Sequence, residues 1–234
     1  MHGVSGKQKH MPQRRHAWRL YSQYIMKTIH IIVLILLFTP LSAQRFQGGL
    51  MAGATASQVD GDSYAGFNKL GFQGGVFVNT TFSKNFGAQL EIRYAGKGAR
   101  KPTSSEDTDI YKLALHYIDL PVMATYTFRK KVIFDLGIVP GYLFAKSGEE
   151  NGGPVEESWF VGFKKTDIAW MVGVNYKITD KLLVNLRYSY SLVPINNNVH
   201  ALSSYGPIGN LFGYNNGDYN NYLTLGLYYQ ILRR

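Results

Sequence analysis

The sequence predicts an all-β protein: an eight-stranded antiparallel up-and-down β-barrel that crosses a membrane after a cleaved signal peptide. Three observations predict it. Residues 1–43 have the composition of an export signal. From Phe46 onward, apolar and polar residues alternate with a period of two, and no segment has a convincing helical period. The connections between the alternating segments are short and long in turn, which is typical of bacterial outer-membrane barrels.

The first 43 residues contain six basic residues and no acidic residue. From Met26 they follow the order of an export signal, with a lysine, the apolar run Ile31–Phe38 and the small residue Ala43. The apolar run is too short for a membrane-spanning helix, which needs about 20 such residues. We therefore predict that translation starts at Met26 and that cleavage follows Ala43. Residues 44–234 are then the barrel.

The basic character of the chain belongs largely to this leader. The chain has 25 Lys and Arg residues against 15 Asp and Glu residues, which is a formal net charge of +10. Six of the 25 lie in residues 1–43, so 19 remain against 15 acids and the barrel carries +4. This charge gives little support for nucleic-acid binding. The chain has no cysteine, which excludes disulfides, thiolate metal sites and a lipid-anchored cysteine. We predict no metal site and no cofactor.

Eight alternating segments are the predicted strands. Each is long enough to cross a bilayer, for which a tilted strand needs about 9–11 residues. Three of the connections are short turns, and the other four are long and rich in Gly, Asn and Ser, as surface loops are. In chain order, the predicted strands are Phe46–Val59, Leu70–Ser83, Phe86–Arg100, Leu113–Phe128, Val132–Lys146, Lys165–Ile178, Leu182–Asn196 and Asn221–Leu232.

One face of each predicted strand is apolar and carries no charged residue in its core. In the last strand this face includes Leu223, Leu225 and Leu227, which alternate with Thr224 and Gly226. A Lys or Arg that faces lipid near mid-bilayer costs about 2–4 kcal/mol, which explains such a rule. The opposite face is polar but poor in charge, whereas a soluble surface is about 25–35% charged. The pattern favours a membrane barrel over a soluble ligand carrier.

Aromatic residues cluster near both ends of the predicted strands. Two bands of aromatic rings are expected where a barrel meets the two membrane–water interfaces. A general preference of aromatic residues for strands predicts an even spread instead. The predicted interface aromatics are Phe72, Tyr94, Phe128, Tyr142, Trp170, Tyr176, Tyr190 and Tyr229.

A small set of charged residues falls on the inward face. An eight-stranded barrel is just wide enough to be filled by side chains. Isolated charges in that interior are costly, so we predict that these charges pair. The predicted lumen network consists of Glu91, Arg93, Asp119, Asp135, Lys177 and Arg187. Such a network predicts a plugged barrel and not a pore.

Basic residues also occur at the bases of the long connections. Cations at headgroup depth favour anionic lipid. The predicted lipopolysaccharide contacts are Lys97, Arg100, Lys112, Lys146, Lys164 and Lys165. The other expected partners are outer-membrane lipid and, during insertion, the barrel-assembly machinery. We expect a monomer with extracellular long loops and with periplasmic short turns and termini.

Four short features of the chain point to one family. Three are the junction Leu41-Ser42-Ala43-Gln44, the Gly-rich stretch Gly48–Gly53 and the motif Tyr117-Ile118-Asp119-Leu120-Pro121. The fourth is the closing strand, with Thr224, Gly226, Tyr229 and Ile231. With these features the chain resembles the PorT-like outer-membrane β-barrel family of Bacteroidetes. The resemblance implies the fold and the location but no single activity, although some relatives assist a secretion system.

Two classes of function are open. The first is a non-enzymatic scaffold or surface-binding protein that acts through its long loops, above all 197–220. The second is an outer-membrane lipid or ester hydrolase or acyltransferase, which needs a base beside a nucleophile. His116 and His200 are the histidines after the leader, and neither has a specific catalytic spacing. We therefore favour the first class and predict no catalytic residue; an accessory role in secretion is a further alternative.

Overall fold

The described residues form ten β-strands. The structure is a computed structural model that describes residues 45–62, 64, 66–101, 109–197 and 217–233. The predicted leader and His200 lie outside the described residues. The strands are β1 (Arg45–Asp60), β2 (Lys69–Thr81), β3 (Phe86–Arg100), β4 (Tyr111–Asp119), β5 (Val122–Phe128), β6 (Val132–Glu150), β7 (Gly153–Pro154), β8 (Thr166–Lys177), β9 (Leu182–Ser191) and β10 (Tyr219–Arg233).

The strands close into one antiparallel ring. β1 pairs with β2 on one side and with β10 on the other. From β2 the ring continues through β3, β6, β8 and β9, and β9 pairs with β10 to close it. β4 and β5 share one position in the ring, because β3 and β6 each pair with both of them. The ring therefore has eight positions, and the predicted eight-stranded antiparallel barrel is confirmed. We call its two ends the long-loop end and the short-turn end.

The fourth predicted strand, Leu113–Phe128, is broken at Pro121. β4 ends at Asp119 and β5 begins at Val122. Proline has no N–H group and so cannot donate a hydrogen bond to a neighbouring strand. The carbonyl of Pro121 still accepts a hydrogen bond from the Glu91 N–H at 3.0 Å. The barrel wall therefore stays paired across the break.

The third long connection contains more regular structure than the sequence predicts. β6 continues to Glu150, and the two-residue strand β7 pairs with its end. Asn151 and Gly152 turn the chain between them, with φ angles of 51° and 82° that suit asparagine and glycine. A 3-10 helix, Glu157–Phe160, follows β7. No helix within the described ranges has the length and hydropathy of a membrane span.

The outer and inner faces of the barrel have opposite characters. Leu136 on the outer face is 63% exposed, whereas Arg93 and Arg187 inside the lumen are each 1% exposed. This distribution is the reverse of that in a soluble protein, where large apolar side chains are the ones most often buried. Other exposed apolar residues of the outer face are Leu50, Val76, Ile92, Leu186, Leu225 and Leu227.

Apolar side chains fill the lumen together with its polar groups. At the short-turn end, Met51 packs with Phe77 and Tyr228. A second cluster contains Met123, Val139, Ala169 and Met171. The largest described cluster lies at the long-loop end and contains Val59, Ala99, Leu113, Leu115, Tyr117, Leu143, Phe160 and Ile195. The core of the protein is therefore the interior of the barrel.

Candidate functional site: the lumen and the long-loop end

Arg187, on the inward face of β9, cross-links the lumen. Its Nη1 atom donates a hydrogen bond to Oε1 of Glu91 at 2.8 Å. Its Nε and Nη2 atoms donate to Oδ2 of Asp135 at 3.0 and 2.9 Å. The Tyr228 hydroxyl accepts a hydrogen bond from Nη1 at 2.6 Å and donates one to Glu91 at 3.0 Å. Four strands, β3, β6, β9 and β10, are thus joined through one buried guanidinium.

Lys97 forms the centre of a second group of charges, nearer the long-loop end. Its Nζ atom lies 3.0 Å from Oδ1 of Asp119 and 3.7 Å from Oδ2 of Asp167. The same atom lies 4.4 Å from the centre of the Tyr117 ring and 4.5 Å from that of Tyr222. A buried ammonium with two carboxylates and two aromatic faces is well compensated, which offsets its loss of hydration.

Arg93 lies between the two groups. Its guanidinium nitrogens are 3.6 Å from Oε2 of Glu91 and 3.6 Å from Oδ2 of Asp119. The structure therefore brings together five of the six predicted lumen charges. Lys177, the sixth, is half-buried beside a small polar cavity at the short-turn end. Within the described part of the chain, it forms no ion pair with the other five.

The prediction that Lys97 contacts lipopolysaccharide is wrong. Its side chain is 1% exposed and lies inside the lumen. The alternation that turns Glu91 and Arg93 inward continues to Lys97, because β3 extends to Arg100. Asp167 was also missed as a lumen charge, although it lies on the inward face of β8. Continuing the alternation to the ends of both strands would have found these two residues.

Lys146 also differs from its predicted role at the lipid surface. A register shift in the β4–β6 ladder, between His116 and Tyr117, changes the direction of the following β6 side chains. Nζ of Lys146 lies 3.0 Å from Oε1 of Glu157 and 5.0 Å from the centre of the Phe160 ring. Lys146 therefore contacts two residues of the 3-10 helix.

The other four predicted lipid-contact cations lie at the long-loop end. Arg100 and Lys112 are exposed and face each other across the β3–β4 ladder. Nζ of Lys112 is 3.9 Å from Oε2 of Glu149, at the limit of an exposed ion pair. Lys165 is exposed and Lys164 is half-buried. Arg100 and Lys112 therefore form an exposed cationic pair at this end of the barrel.

Seven of the eight predicted interface aromatics lie exposed or half-buried on the outer face, namely Phe72, Tyr94, Phe128, Tyr142, Trp170, Tyr176 and Tyr229. The prediction for Tyr190 is wrong, because its ring is fully buried. Its hydroxyl donates a hydrogen bond to Oδ2 of Asp60 at 2.9 Å, and its ring stacks on Tyr219 at 6.3 Å. Tyr190 therefore contacts residues of β1 and β10 and does not lie at the membrane interface.

His116 lies on the outer wall near the long-loop end. Its Nδ1 atom lies 2.7 Å from the hydroxyl of Tyr94, and its ring is also near Phe144, with a centroid distance of 6.2 Å. The described polar partner of His116 is therefore a phenol and not a serine. The second candidate base, His200, belongs to the part of the last loop that lies outside the described residues.

A cavity of about 390 Å³ opens at the long-loop end of the lumen. Asp62 lies in its wall, in the connection after β1, and is 6% exposed. Burial raises the pKa of Asp62 to about 8; the carboxylates of Asp218 and Asp60 contribute to the shift, and a hydrogen bond from the Tyr64 N–H opposes it. No group of three or more His, Cys, Asp or Glu side chains suited to a metal ion occurs within the described ranges.

The closed antiparallel ring, the apolar outer face and the lumen with its buried charges define a membrane-spanning β-barrel. Residues 41–197 match the family described as outer membrane protein beta-barrel domain. The chain belongs to this family, and the protein is an outer-membrane β-barrel. The narrower resemblance to PorT-like proteins of Bacteroidetes stays a prediction.

Several solved outer-membrane proteins are similar to this chain. The attachment invasion locus protein Ail of Yersinia pestis has a TM-score of 0.47 and 15% identity, over 79% of this chain and 98% of Ail. Neisserial surface protein A has a TM-score of 0.43 and 14% identity, over 81% and 98%. OprG from Pseudomonas aeruginosa has a TM-score of 0.35 and 12% identity, over 80% and 95%. No curated protein matches the chain.

Proposed function

We propose that this outer-membrane barrel is a non-enzymatic scaffold that presents its long loops at the cell surface, for a structural or surface-binding role. The observation that carries the proposal is the filled lumen. Arg187 and Lys97 join separate walls of the barrel through the buried carboxylates of Glu91 and Asp167, Arg93 lies between them, and apolar clusters pack above and below. In this proposal the long loops are extracellular, and the short turns and termini are periplasmic, as in bacterial barrels generally.

Single-channel recording tests the closed lumen. The purified barrel, reconstituted in a planar bilayer, should show no stepwise conductance. A matched double variant, Tyr117→Ser with Leu113→Ser, removes two large side chains from the long-loop end of the lumen. It should show conductance steps, provided that its mobility in dodecyl sulfate gels changes on boiling as that of the unmodified barrel does. Reproducible steps in the unmodified protein would refute the scaffold proposal in favour of a pore.

The hydrolase alternative is tested separately. His116 is the described histidine, and its partner is the Tyr94 hydroxyl. We expect the purified barrel to release no fatty acid from phospholipid and no product from short esters. Turnover that disappears in His116→Ala or in His200→Ala would overturn the non-enzymatic proposal. Turnover unchanged in both variants would point to a contaminating enzyme.

A second role, contact with lipopolysaccharide, is favoured by Arg100 and Lys112. Both are exposed, and they are paired across the outer wall at the long-loop end. Adjacent cations above an aromatic band match the depth of phosphate groups in the outer leaflet. Arg100→Gln with Lys112→Gln should lower the melting temperature only when lipopolysaccharide is present. The matched control is Lys130→Gln with Lys131→Gln at the short-turn end; an equal loss in plain detergent would refute the contact.

The remaining partners follow from the outer-membrane location. We propose that the barrel-assembly machinery inserts the protein, and that the folded protein is a monomer. A role as an accessory factor of a secretion system is an alternative that the resemblance to PorT-like proteins suggests. Crosslinking of the intact protein in its own outer membrane would separate these cases, since an accessory factor should give a specific crosslinked species and a solitary scaffold should not.

A further inference from the structure

The cavity at the long-loop end has an acidic lining. Asp62, Asp218 and Glu150 line it, whereas none of its described lining residues is a lysine or an arginine. The first two carboxyl groups are buried, at 6% and 3% exposure. Tyr111 lines the same cavity as the three acids, so all of them border one space. An acidic recess of this kind attracts cations.

Aromatic rings form one side of the same cavity. The rings of Tyr64 and Tyr111 are 4.5 Å apart between centroids, and Trp159 follows at 6.2 Å from Tyr111. Phe163 stacks on Trp159 at 6.2 Å and completes the arc. The faces of tyrosine, tryptophan and phenylalanine rings attract ammonium groups within about 6 Å. The chain itself shows this chemistry here, because Nζ of Lys101 lies 5.8 Å from the centre of the Tyr64 ring.

Within the described part of the chain, one carboxyl oxygen of Asp62 accepts a hydrogen bond and the other does not. One of its carboxyl oxygens accepts a hydrogen bond from the Tyr64 N–H at 2.9 Å. The other oxygen, Oδ2, is buried and has no hydrogen-bond partner among the described residues. Leaving a buried acceptor unsatisfied is costly. A primary ammonium group that enters the cavity would donate a hydrogen bond to this oxygen, whereas a quaternary ammonium group, which has no N–H, would pair with it through charge alone; both would favour the ionised carboxyl group.

We propose that the long-loop end contains a binding site for an organic ammonium group, formed by Asp62, Asp218 and Glu150 with the aromatic arc Tyr64–Tyr111–Trp159–Phe163. The ligand class is a small quaternary or primary ammonium compound, or the same group on a lysine side chain of a protein partner. A cavity of about 390 Å³ accommodates a ligand of this size. The site deepens the proposed surface-binding function by naming the chemistry that the surface recognises.

The test uses the full chain in maltoside micelles, since a phosphocholine detergent would itself compete. Trp18→Phe with Trp170→Phe leaves Trp159 as the sole tryptophan and therefore as the reporter. Choline should change the fluorescence of Trp159 saturably, and so should n-butylammonium, which represents a lysine side chain. The neutral choline analogue 3,3-dimethyl-1-butanol should bind about tenfold more weakly or worse, because it lacks the charge. If only choline saturates the fluorescence change, the ligand is a free ammonium compound. If only n-butylammonium saturates it, the ligand is a lysine side chain.

Asp62→Asn should weaken choline binding by about tenfold or more, and Glu150→Gln should weaken it to a smaller extent because Glu150 is exposed. The matched control is Glu157→Gln, at the same end of the barrel, where the acid is bound to Lys146 and does not line the cavity. The proposal is overturned if neither ammonium compound saturates the signal or if the neutral analogue binds as well as choline. It is also overturned if Glu157→Gln weakens binding as much as Asp62→Asn. If Asp62→Asn fails to fold, the comparison of Glu150→Gln with Glu157→Gln decides.

A pH series gives a further readout. Choline keeps its charge at every pH, so any change in its affinity reports on the protein. The acids that act on Asp62 are Asp60 from β1 and Asp218 before β10, and Glu150 at the end of β6 lines the same cavity with Tyr111. Because Asp62 holds its proton up to about pH 8, the affinity should rise with pH below that value and level off above it. Failure of ammonium binding would leave the conductance and hydrolysis results, which test the scaffold itself, unchanged.

Discussion

Buried charges in the lumen are retained by the partners that surround them. Arg187 donates hydrogen bonds to two carboxylates and to one tyrosine hydroxyl, whereas Arg93 stays 3.6 Å from its two carboxylates, beyond hydrogen-bond distance. Removing one partner of a buried pair leaves an uncompensated charge, and this costs more than the pair itself contributes. The two arginines are therefore not equivalent.

Arg187→Gln should lower the free energy of unfolding by about 3–5 kcal/mol, because Glu91 and Asp135 lose their guanidinium partner. Urea unfolding of the barrel in lipid vesicles measures this change. The control is Arg100→Gln, in which the lost side chain is exposed, and its expected effect is within about 0.5 kcal/mol. Equal effects of the two substitutions would contradict a lumen held together by Arg187.

Asp62 should make the barrel less stable as the pH rises. Its pKa is about 8 in the folded protein and 3.8 ordinarily, so between these values the folded protein holds a proton that the unfolded chain has released. This contribution to stability is complete below about pH 4 and is lost as the pH rises through about 8. Melting temperatures at about pH 5 and about pH 8 should therefore differ less in Asp62→Asn than in the unmodified barrel. Glu157→Gln is the control. If Asp62→Asn leaves the difference between the two melting temperatures unchanged, the raised pKa of Asp62 is contradicted.

Individual strands follow the local alternation except where a proline or an extra residue interrupts it. Pro121 divides one predicted strand into β4 and β5, and the register shift in β6 redirects Lys146 toward the 3-10 helix. In β3 and β8 the alternation continues to the ends of the strands, next to the long loops. It turns Lys97 of β3 and Asp167 of β8 inward, where they form an ion pair. These two residues were predictable from the sequence, whereas the redirected Lys146 was not.

Leu136→Arg tests the apolar outer face of β6. Leu136 is 63% exposed, and its neighbours in the ladders are Val172 of β8 and Ala124 of β5. An arginine that faces the hydrocarbon should lower the free energy of unfolding in lipid vesicles by about 2–4 kcal/mol. The control is Val161→Arg, at a loop position that is 70% exposed, with an expected change within about 0.5 kcal/mol. If both substitutions cost the same, Leu136 does not face lipid.

Closure of the ring gives the whole molecule its stability in a membrane. The pairing of β1 with β10 removes both free edges of the sheet, so the backbone groups along those strands are bonded to one another. The lumen adds side-chain contacts between opposite walls, and Arg187 pairs with Glu91, which is 96 positions away in the chain. Unfolding such a ring requires many of these contacts to break together.

The unheated protein should therefore migrate differently from the boiled protein in dodecyl sulfate gels, since the closed barrel resists the detergent until it is heated. Outer membranes isolated from cells that express the full chain are the starting material. The temperature at which the folded band disappears should be lower for Arg187→Gln than for Arg100→Gln. A single band of constant mobility at all temperatures would contradict a closed barrel of this stability.

Local pattern alone determines that this protein is a membrane barrel of eight positions, with apolar residues outside, charges inside and turns of alternating length. Alternation is a property of the pleated strand, so it can be read from neighbouring residues. The tertiary structure decides which inward charges meet, why Tyr190 is buried, and that Asp62, Tyr111 and Trp159 line one cavity. Each of these outcomes depends on the registers at which distant strands pair when the ring closes, and no local pattern specifies that geometry.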